Sequence, residues 1–148
     1  MADTDDLQHH DDLDSHLKEV QHLLARHKLV EGLVHRQDMP KHDLVESLVH
    51  KQHVQELTHK LDSLHSADVA HILEALPLED RLFVWDLVKA ELDGEILLEV
   101  SDAVRESLIE SMDPASLRAA AEQLDADELA DLAPDLPQEV MEDVYRGL

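Results

Sequence analysis

Residues 64–77 read LHSADVAHILEALP and residues 124–137 read LDADELADLAPDLP, so one pattern recurs sixty residues later. Small and aliphatic residues fall at matching positions, and both copies end in Leu-Pro. Proline fits the first turn of a helix, so each copy predicts one short helix that stops at the leucine and a second that starts at the proline. The repeat therefore indicates pairs of short helices.

The remaining start signals agree with this interpretation. Pro114 follows Asp113, a residue that caps helix N-termini well, and Asp125 with Glu128 forms a variant capping box. The helices between these marks have about ten residues each. Short helices with one apolar face must stack on their neighbours, so we predict an all-α fold: a superhelical array of short antiparallel helices, related to armadillo-like solenoids.

A second repeat lies nearer the start, where HKLVEGLVHRQ at 27–37 returns as HDLVESLVHKQ at 42–52. Met39-Pro40 separates the copies and predicts a break between two helices that pack against each other. We therefore divide the chain into a disordered acidic tail at 1–12, a histidine-rich helical leading segment at 13–52 and a superhelical domain at 53–148.

Composition excludes several classes of function. The 35 acidic and 12 basic side chains give a formal net charge of −23, which disfavours nucleic acid and anionic membrane surfaces and favours cations or basic partners. Cysteine is absent. The longest apolar run, at 82–85, is far shorter than the roughly 20 residues that cross a bilayer. No phosphate-binding loop, nucleophile elbow or zinc-protease motif occurs, so we do not expect an enzyme.

All twelve histidines lie within residues 1–71. His50 and His53, three residues apart on a predicted helix, have the spacing of a chelating pair, and His9-His10 has the composition of a looser site. We interpret the histidines as solvated side chains. An imidazole-based store for nickel, cobalt or zinc is the alternative.

Asp127 and Asp131 are four residues apart on a predicted helix, so their carboxylates point the same way. Hard oxygen ligands at that spacing suit Mg²⁺, which proteins often bind through one or two carboxylates with several waters retained. The alternative is that the helix dipole alone favours acids at this helix start. Glu95, taken by itself, is a solvated acid of the same kind.

Several motifs in order resemble the N-terminal cytosolic domain of the MgtE family of magnesium channels and transporters. They are LHSADVAHILEALP with Arg81, EILLEV at 95–100, VRE at 104–106 and DELADL at 127–132. The resemblance covers about residues 42–148. It implies that Asp127 and Asp131 correspond to an aspartate pair that binds Mg²⁺, and that Glu95 corresponds to a glutamate at another ion site.

The resemblance also implies a larger assembly. In this family, the N domain is followed by two CBS domains, a connecting helix and a five-helix membrane pore, and the protein is a homodimer on the cytoplasmic side of the bacterial inner membrane. Mg²⁺ bound between the N and CBS domains holds the pore shut. We expect weak Mg²⁺ binding by the N domain alone, since the remaining ligands come from the CBS domains or water. A metal-independent acidic adaptor that docks a basic protein is the alternative function.

Overall fold

A computed structural model describes residues 3–35 and 42–147, with side chains described for 13–29, 48 and 50–147. Within these ranges all regular structure is helical, which confirms the all-α prediction. The α-helices of the described ranges are α1 Asp3–His35, α2 His42–Asp62, α3 Ser66–Ala75, α4 Leu78–Leu87, α5 Asp93–Glu99, α6 Asp102–Ser111, α7 Pro114–Glu122, α8 Ala126–Leu132 and α9 Gln138–Arg146. Two 3₁₀ turns, Ala90–Leu92 and Ala133–Asp135, complete the described elements.

The chain divides into two compact units after Leu64. We call the first, which contains α1 and α2, the hairpin, and the second, which contains α3 to α9, the stack. None of the described helices combines the length and the apolarity needed to cross a membrane.

In the hairpin, α1 and α2 contact each other in antiparallel order, because side-chain pairs join residue 27 to 53, 26 to 56 and 19 to 60. Among the described side chains of these two helices, the buried apolar residues are Val20, Leu24, Leu57 and Leu61, which form an apolar seam. The predicted break at Met39-Pro40 lies outside the described residues.

Two predicted boundaries differ from the structure. Residues 3–12 of the expected disordered tail are helical and belong to α1. No glycine or proline interrupts the chain there, and acids at a helix start interact favourably with the helix dipole. Helix α2 likewise continues past residue 52 to Asp62, since neither breaker occurs between Pro40 and Pro77, so the second unit begins at His65.

In the stack, α3 contacts α4, and α5 contacts α6. Contacts also join α3 to α5, α4 to α6, α5 to α7, α7 to α9 and α5 to α8. The sixty-residue repeat is a structural repeat of α3 and α4 in α8 and α9. Pro77 and Pro137 both occupy the N-cap of the second helix. The first helices also start alike, since the backbone N–H of His65 donates to Asp68 and that of Asp125 to Glu128, each at 3.1 Å.

Candidate functional site

Helix α8 carries the predicted aspartate pair. Asp125 caps the helix by accepting a hydrogen bond from the backbone N–H of Glu128 at 2.9 Å, and the carboxylate of Glu128 caps in return. This reciprocal cap fixes the first turn, and Asp127 and Asp131 follow at the expected spacing. Both side chains are exposed and make no hydrogen bond or ion pair with the described part of the chain.

Glu95 lies on α5, which contacts α8. The start of α5 is held by Gly94, whose backbone N–H donates to the side chain of Gln123 at 3.0 Å. A Cβ on Gly94 would lie 2.7 Å from the backbone oxygen of Ala120, so glycine permits this close approach of α5 to α7. Glu95 itself is exposed.

The three predicted carboxylates thus share the stack but do not converge. Among the residues that the structure describes, no group of three or more histidines or acids is placed to hold a metal ion. Asp127 and Asp131 are two oxygen donors on one helix face, which matches the incomplete protein ligand set that Mg²⁺ accepts. Any further ligand has to come from water or from another chain segment.

Asp131 also lines a surface cavity of about 1030 Å³ formed by α6, α7, α8 and the following 3₁₀ turn. The carboxylates that line this acidic groove are those of Asp102, Glu106, Glu110, Asp131 and Asp135. Arg105 is the basic side chain in the lining, and its charge is shared by two of these acids. The groove is therefore a concave anionic surface suited to a cation or a basic segment.

Arg105 connects the elements around the acidic groove. Its guanidinium donates to the backbone oxygen of Leu97 at 2.6 Å and to that of Val100 at 3.4 Å, which satisfies carbonyls at the end of α5. It also pairs with Asp135 at 3.0 Å and Asp102 at 3.4 Å. Since the Arg105 side chain is only 12% exposed, it links α5, α6 and the turn after α8 from within.

Arg81, twenty-four residues before Arg105, likewise binds backbone carbonyls at the end of a helix, α3. It donates to the backbone oxygens of Leu73 at 2.9 Å and Leu76 at 3.1 Å, and to the hydroxyl of Ser107 at 3.2 Å. Sequence reasoning gave neither arginine a role. A signal for these contacts was present in the sequence. Each arginine lies eight residues after a leucine whose carbonyl it binds, and five residues after the last residue whose carbonyl it binds.

Asp93, at the start of α5, is a further group that the sequence did not single out. Burial and, to a smaller extent, the charge of Glu91 raise its pKa to about 7. Its carboxyl lines a cavity of about 510 Å³ together with Trp85, Asp86 and Asp113. Asp93 is therefore partly protonated near neutral pH.

The structure places some of the histidines at the surface and buries others. His50 and His59 are exposed, as expected, whereas His27 and His53 are buried at 6% exposure and contact each other. The expectation of solvated side chains is therefore wrong for this pair. The side chains of His9-His10 lie outside the described residues.

Residues 64–148 match the family model described as the MgtE intracellular N domain. The chain belongs to this family. The MgtE N domain is the N-terminal cytosolic part of magnesium transporters, and its family is not a family of enzymes. The match coincides with the stack and contains Glu95, Asp127 and Asp131. The expected similarity started at residue 42 and thus included all of α2, which the match does not. No sequence among curated proteins matches this chain.

Proposed function

We propose that the stack is a regulatory Mg²⁺ sensor of a magnesium transporter or channel. Asp127 and Asp131 of this MgtE N domain bind Mg²⁺ together with ligands on the CBS domains of the same polypeptide, Glu95 contributes to another ion site, and the docked arrangement favours the closed pore. The observation that carries this proposal is the family match over the stack, within which the aspartate pair is exposed and has no described partner.

The charge of the stack supports an ion-controlled docking. Residues 72–148 contain 21 acidic and 5 basic side chains and no histidine, so their negative charge persists across physiological pH. A facing domain that also carries carboxylates is repelled at low Mg²⁺. Two unit charges 4 Å apart interact by about 4 kcal/mol at a protein surface, which is enough to control a conformational equilibrium.

A divalent ion shared between the two surfaces removes this repulsion. Mg²⁺ supplies two positive charges and an octahedral set of ligand positions, of which Asp127 and Asp131 fill one or two and water or the facing domain fills the others. The free energy of binding is then realised only in the docked state, so Mg²⁺ shifts the population toward it.

The isolated chain should bind Mg²⁺ weakly for the same reason. In an NMR titration with Mg²⁺, we expect gradual shifts in the millimolar range at the amides of α8 and none at α9. Substituting Asp127→Asn and Asp131→Asn together should abolish the shifts at α8.

The decisive experiment uses the intact gene product that carries this domain together with CBS domains. Addition of Mg²⁺ should make it more compact in small-angle X-ray scattering and more resistant to limited proteolysis. The paired variant Asp127→Asn and Asp131→Asn should lose both responses.

A matched control removes the same charge at the same spacing elsewhere. Glu139 and Asp143 are exposed and four residues apart on α9, so Glu139→Gln with Asp143→Asn should leave the response to Mg²⁺ unchanged. Equal responses of the wild type and the α8 variant would contradict the assignment of Asp127 and Asp131. Loss of the response in both variants would indicate a general charge effect.

The acidic groove favours a second candidate function, a metal-independent adaptor that docks a basic segment. Such binding would weaken steeply with salt and would not respond to Mg²⁺. Capture of a lysine- and arginine-rich peptide by the wild type and not by a Glu106→Gln, Glu110→Gln variant would support it.

A further inference from the structure

The hairpin contains two histidines at positions where its sequence pattern calls for apolar residues. On α1, His27 continues the spacing of Val20 and Leu24, and on α2, His53 precedes Leu57 by one turn. Both histidines are therefore directed into the seam and are 94% buried. Because α1 and α2 are antiparallel, the two imidazoles meet at one level of the hairpin.

The two rings face each other through the same type of atom. Nδ1 of His27 and Nδ1 of His53 are 3.1 Å apart, and the ring planes are nearly perpendicular, at 89°. As a hydrogen bond, this contact requires one Nδ1 to donate and the other to accept, so both rings cannot be protonated at these atoms. One Nδ1 therefore carries the shared proton, and transfer of that proton to Nε2 of the same ring leaves two Nδ1 lone pairs directed at a common region.

A third imidazole lies next to the pair. His50 precedes His53 by three residues on α2, and its ring centroid is 5.3 Å from that of His27. Since His50 is exposed, its ring lies at the solvent side of the seam.

We propose that His27 and His53 chelate one late transition-metal ion between α1 and α2, with water completing the coordination and the ring of His50 next to the site. Two nitrogens bound to a tetrahedral ion at about 2.0–2.1 Å are about 3.3–3.4 Å apart, so the observed separation needs to grow by only a few tenths of an ångström. The ion would replace the single hydrogen bond between the rings by two metal–nitrogen bonds that join the helices.

The donor set selects the class of ion. Neutral imidazole suits Zn²⁺, Ni²⁺, Co²⁺ and Cu²⁺, whereas Mg²⁺ and Ca²⁺ prefer oxygen. Elsewhere in the hairpin, His16 is differently placed, because its Nδ1 accepts from the ammonium of Lys60 at 3.0 Å, and a positive neighbour disfavours a metal ion. The site is thus chemically distinct from the carboxylates of the stack and independent of the Mg²⁺ function proposed for them.

The test uses Co²⁺, which reports tetrahedral nitrogen coordination by its visible absorption, on the full chain without an affinity tag. A background with His9→Gln and His10→Gln removes the separate imidazole pair near the start. We expect one equivalent of Co²⁺ to produce the absorption, Zn²⁺ to displace it, and Zn²⁺ to raise the melting temperature. Mg²⁺ should neither displace Co²⁺ nor raise the melting temperature.

Variants of the pair should lose the site. We expect His27→Gln and His53→Gln each to weaken Zn²⁺ binding at least tenfold in calorimetry, His50→Gln to weaken it less, and His59→Gln on the exposed face of α2 to leave it unchanged. Unchanged binding in His53→Gln, or equal weakening in His59→Gln, would overturn the proposal. Absence of one-to-one binding by the background chain would overturn it as well.

A measurement on the background chain, with every seam histidine in place, covers the case in which a seam variant fails to fold. In two-bond ¹H–¹⁵N correlation spectra of uniformly labelled protein, Zn²⁺ should shift the Nδ1 signals of His27 and His53. Response of the exposed histidines alone would contradict the assignment. These outcomes do not depend on whether Asp127 and Asp131 bind Mg²⁺, so the two proposals fail separately.

Discussion

The hairpin and the stack are both helical, but they place their polar groups in opposite ways. The hairpin encloses two imidazoles in its apolar seam, and its ion pair between Lys60 and Glu19 has an exposed carboxylate. The stack keeps most of its carboxylates exposed, with those of Asp68 and Asp93 among the exceptions, and admits a guanidinium, that of Arg105, between its helices. The chemistry of a polar side chain in this protein therefore depends on its position relative to the helix contacts as well as on its type.

The difference also predicts where substitutions will matter. A group that satisfies buried carbonyls is expensive to remove because its partners remain unpaired in a low dielectric. A surface ion pair is screened by water and contributes little. Four substitutions, in order of decreasing effect, test whether the two regions differ in this way.

Arg105→Ala should have the largest effect. It leaves carbonyls at the end of α5 without their donor and should lower the free energy of unfolding by about 3 kcal/mol, measured by urea denaturation. Arg105→Lys should recover only part of this, because an ammonium lacks the planar fork of donors. Arg118→Ala, at an exposed position on α7, is the control and should change stability by less than about 0.5 kcal/mol. Equal losses at the two positions would show that the buried contacts of Arg105 do not stabilise the stack.

Gly94→Ala should come next. The added Cβ meets a backbone oxygen of α7 at 2.7 Å, so the helices must separate, at a cost of about 2 kcal/mol in chemical denaturation. Gly147→Ala is the matched control, since the nearest atom there is 3.5 Å away. If Gly94→Ala were as stable as the control, the close approach of α5 to α7 would not be required by the fold.

Asp93→Asn should stabilise the chain at alkaline pH. Because the folded pKa of about 7 lies above the reference value of 3.8, the folded state holds a proton that the unfolded state releases between these values, and stability falls as pH rises through this range. The gain should be about 1 kcal/mol at pH 8, after allowance for solvent screening of a half-buried group, and should vanish below pH 4. Thermal melts of the two proteins from pH 4 to 8 provide the measurement, and parallel curves would contradict the raised pKa.

Glu19→Gln in the hairpin should have the smallest effect, about 0.5 kcal/mol or less at pH 7. A hydrogen bond and the charge of Lys60 lower the pKa of Glu19 below 4.5, so the contribution is present above that pH and is lost as pH falls through the folded pKa. It should also weaken in 1 M salt. Glu122→Gln, at an exposed position on α7, is the control for removing one negative charge. A loss as large as that of Arg105→Ala would erase the contrast between the regions.

The repeat and the caps made much of the stack predictable. Leu-Pro at 76–77 and 136–137 predicted where helices end and begin, and Asp125 with Glu128 predicted the start of α8. The placement of Asp127 and Asp131 one turn apart on one helix also followed from their spacing. Local rules of this kind work because caps and turns involve residues close in sequence.

Boundaries and long-range contacts were harder to predict. The extent of α1 and α2 depended on the absence of breakers rather than on a positive signal. Arg105 donates a hydrogen bond to Asp135, thirty residues further along the chain. Periodicity within one helix cannot predict such a contact. The burial of His27 likewise depends on which helix lies opposite.

The amino-acid sequence was therefore sufficient to predict the helical class, several caps in the stack, the family suggested by the ordered motifs and the excess of negative charge. Three features depend on the folded arrangement: the buried contact between two histidines twenty-six residues apart, the binding of carbonyls at the end of α5 by Arg105, and the raised pKa of Asp93, about 7. The physical reason is that helix propensity and capping are local, whereas burial and electrostatic environment depend on neighbours that only folding brings together.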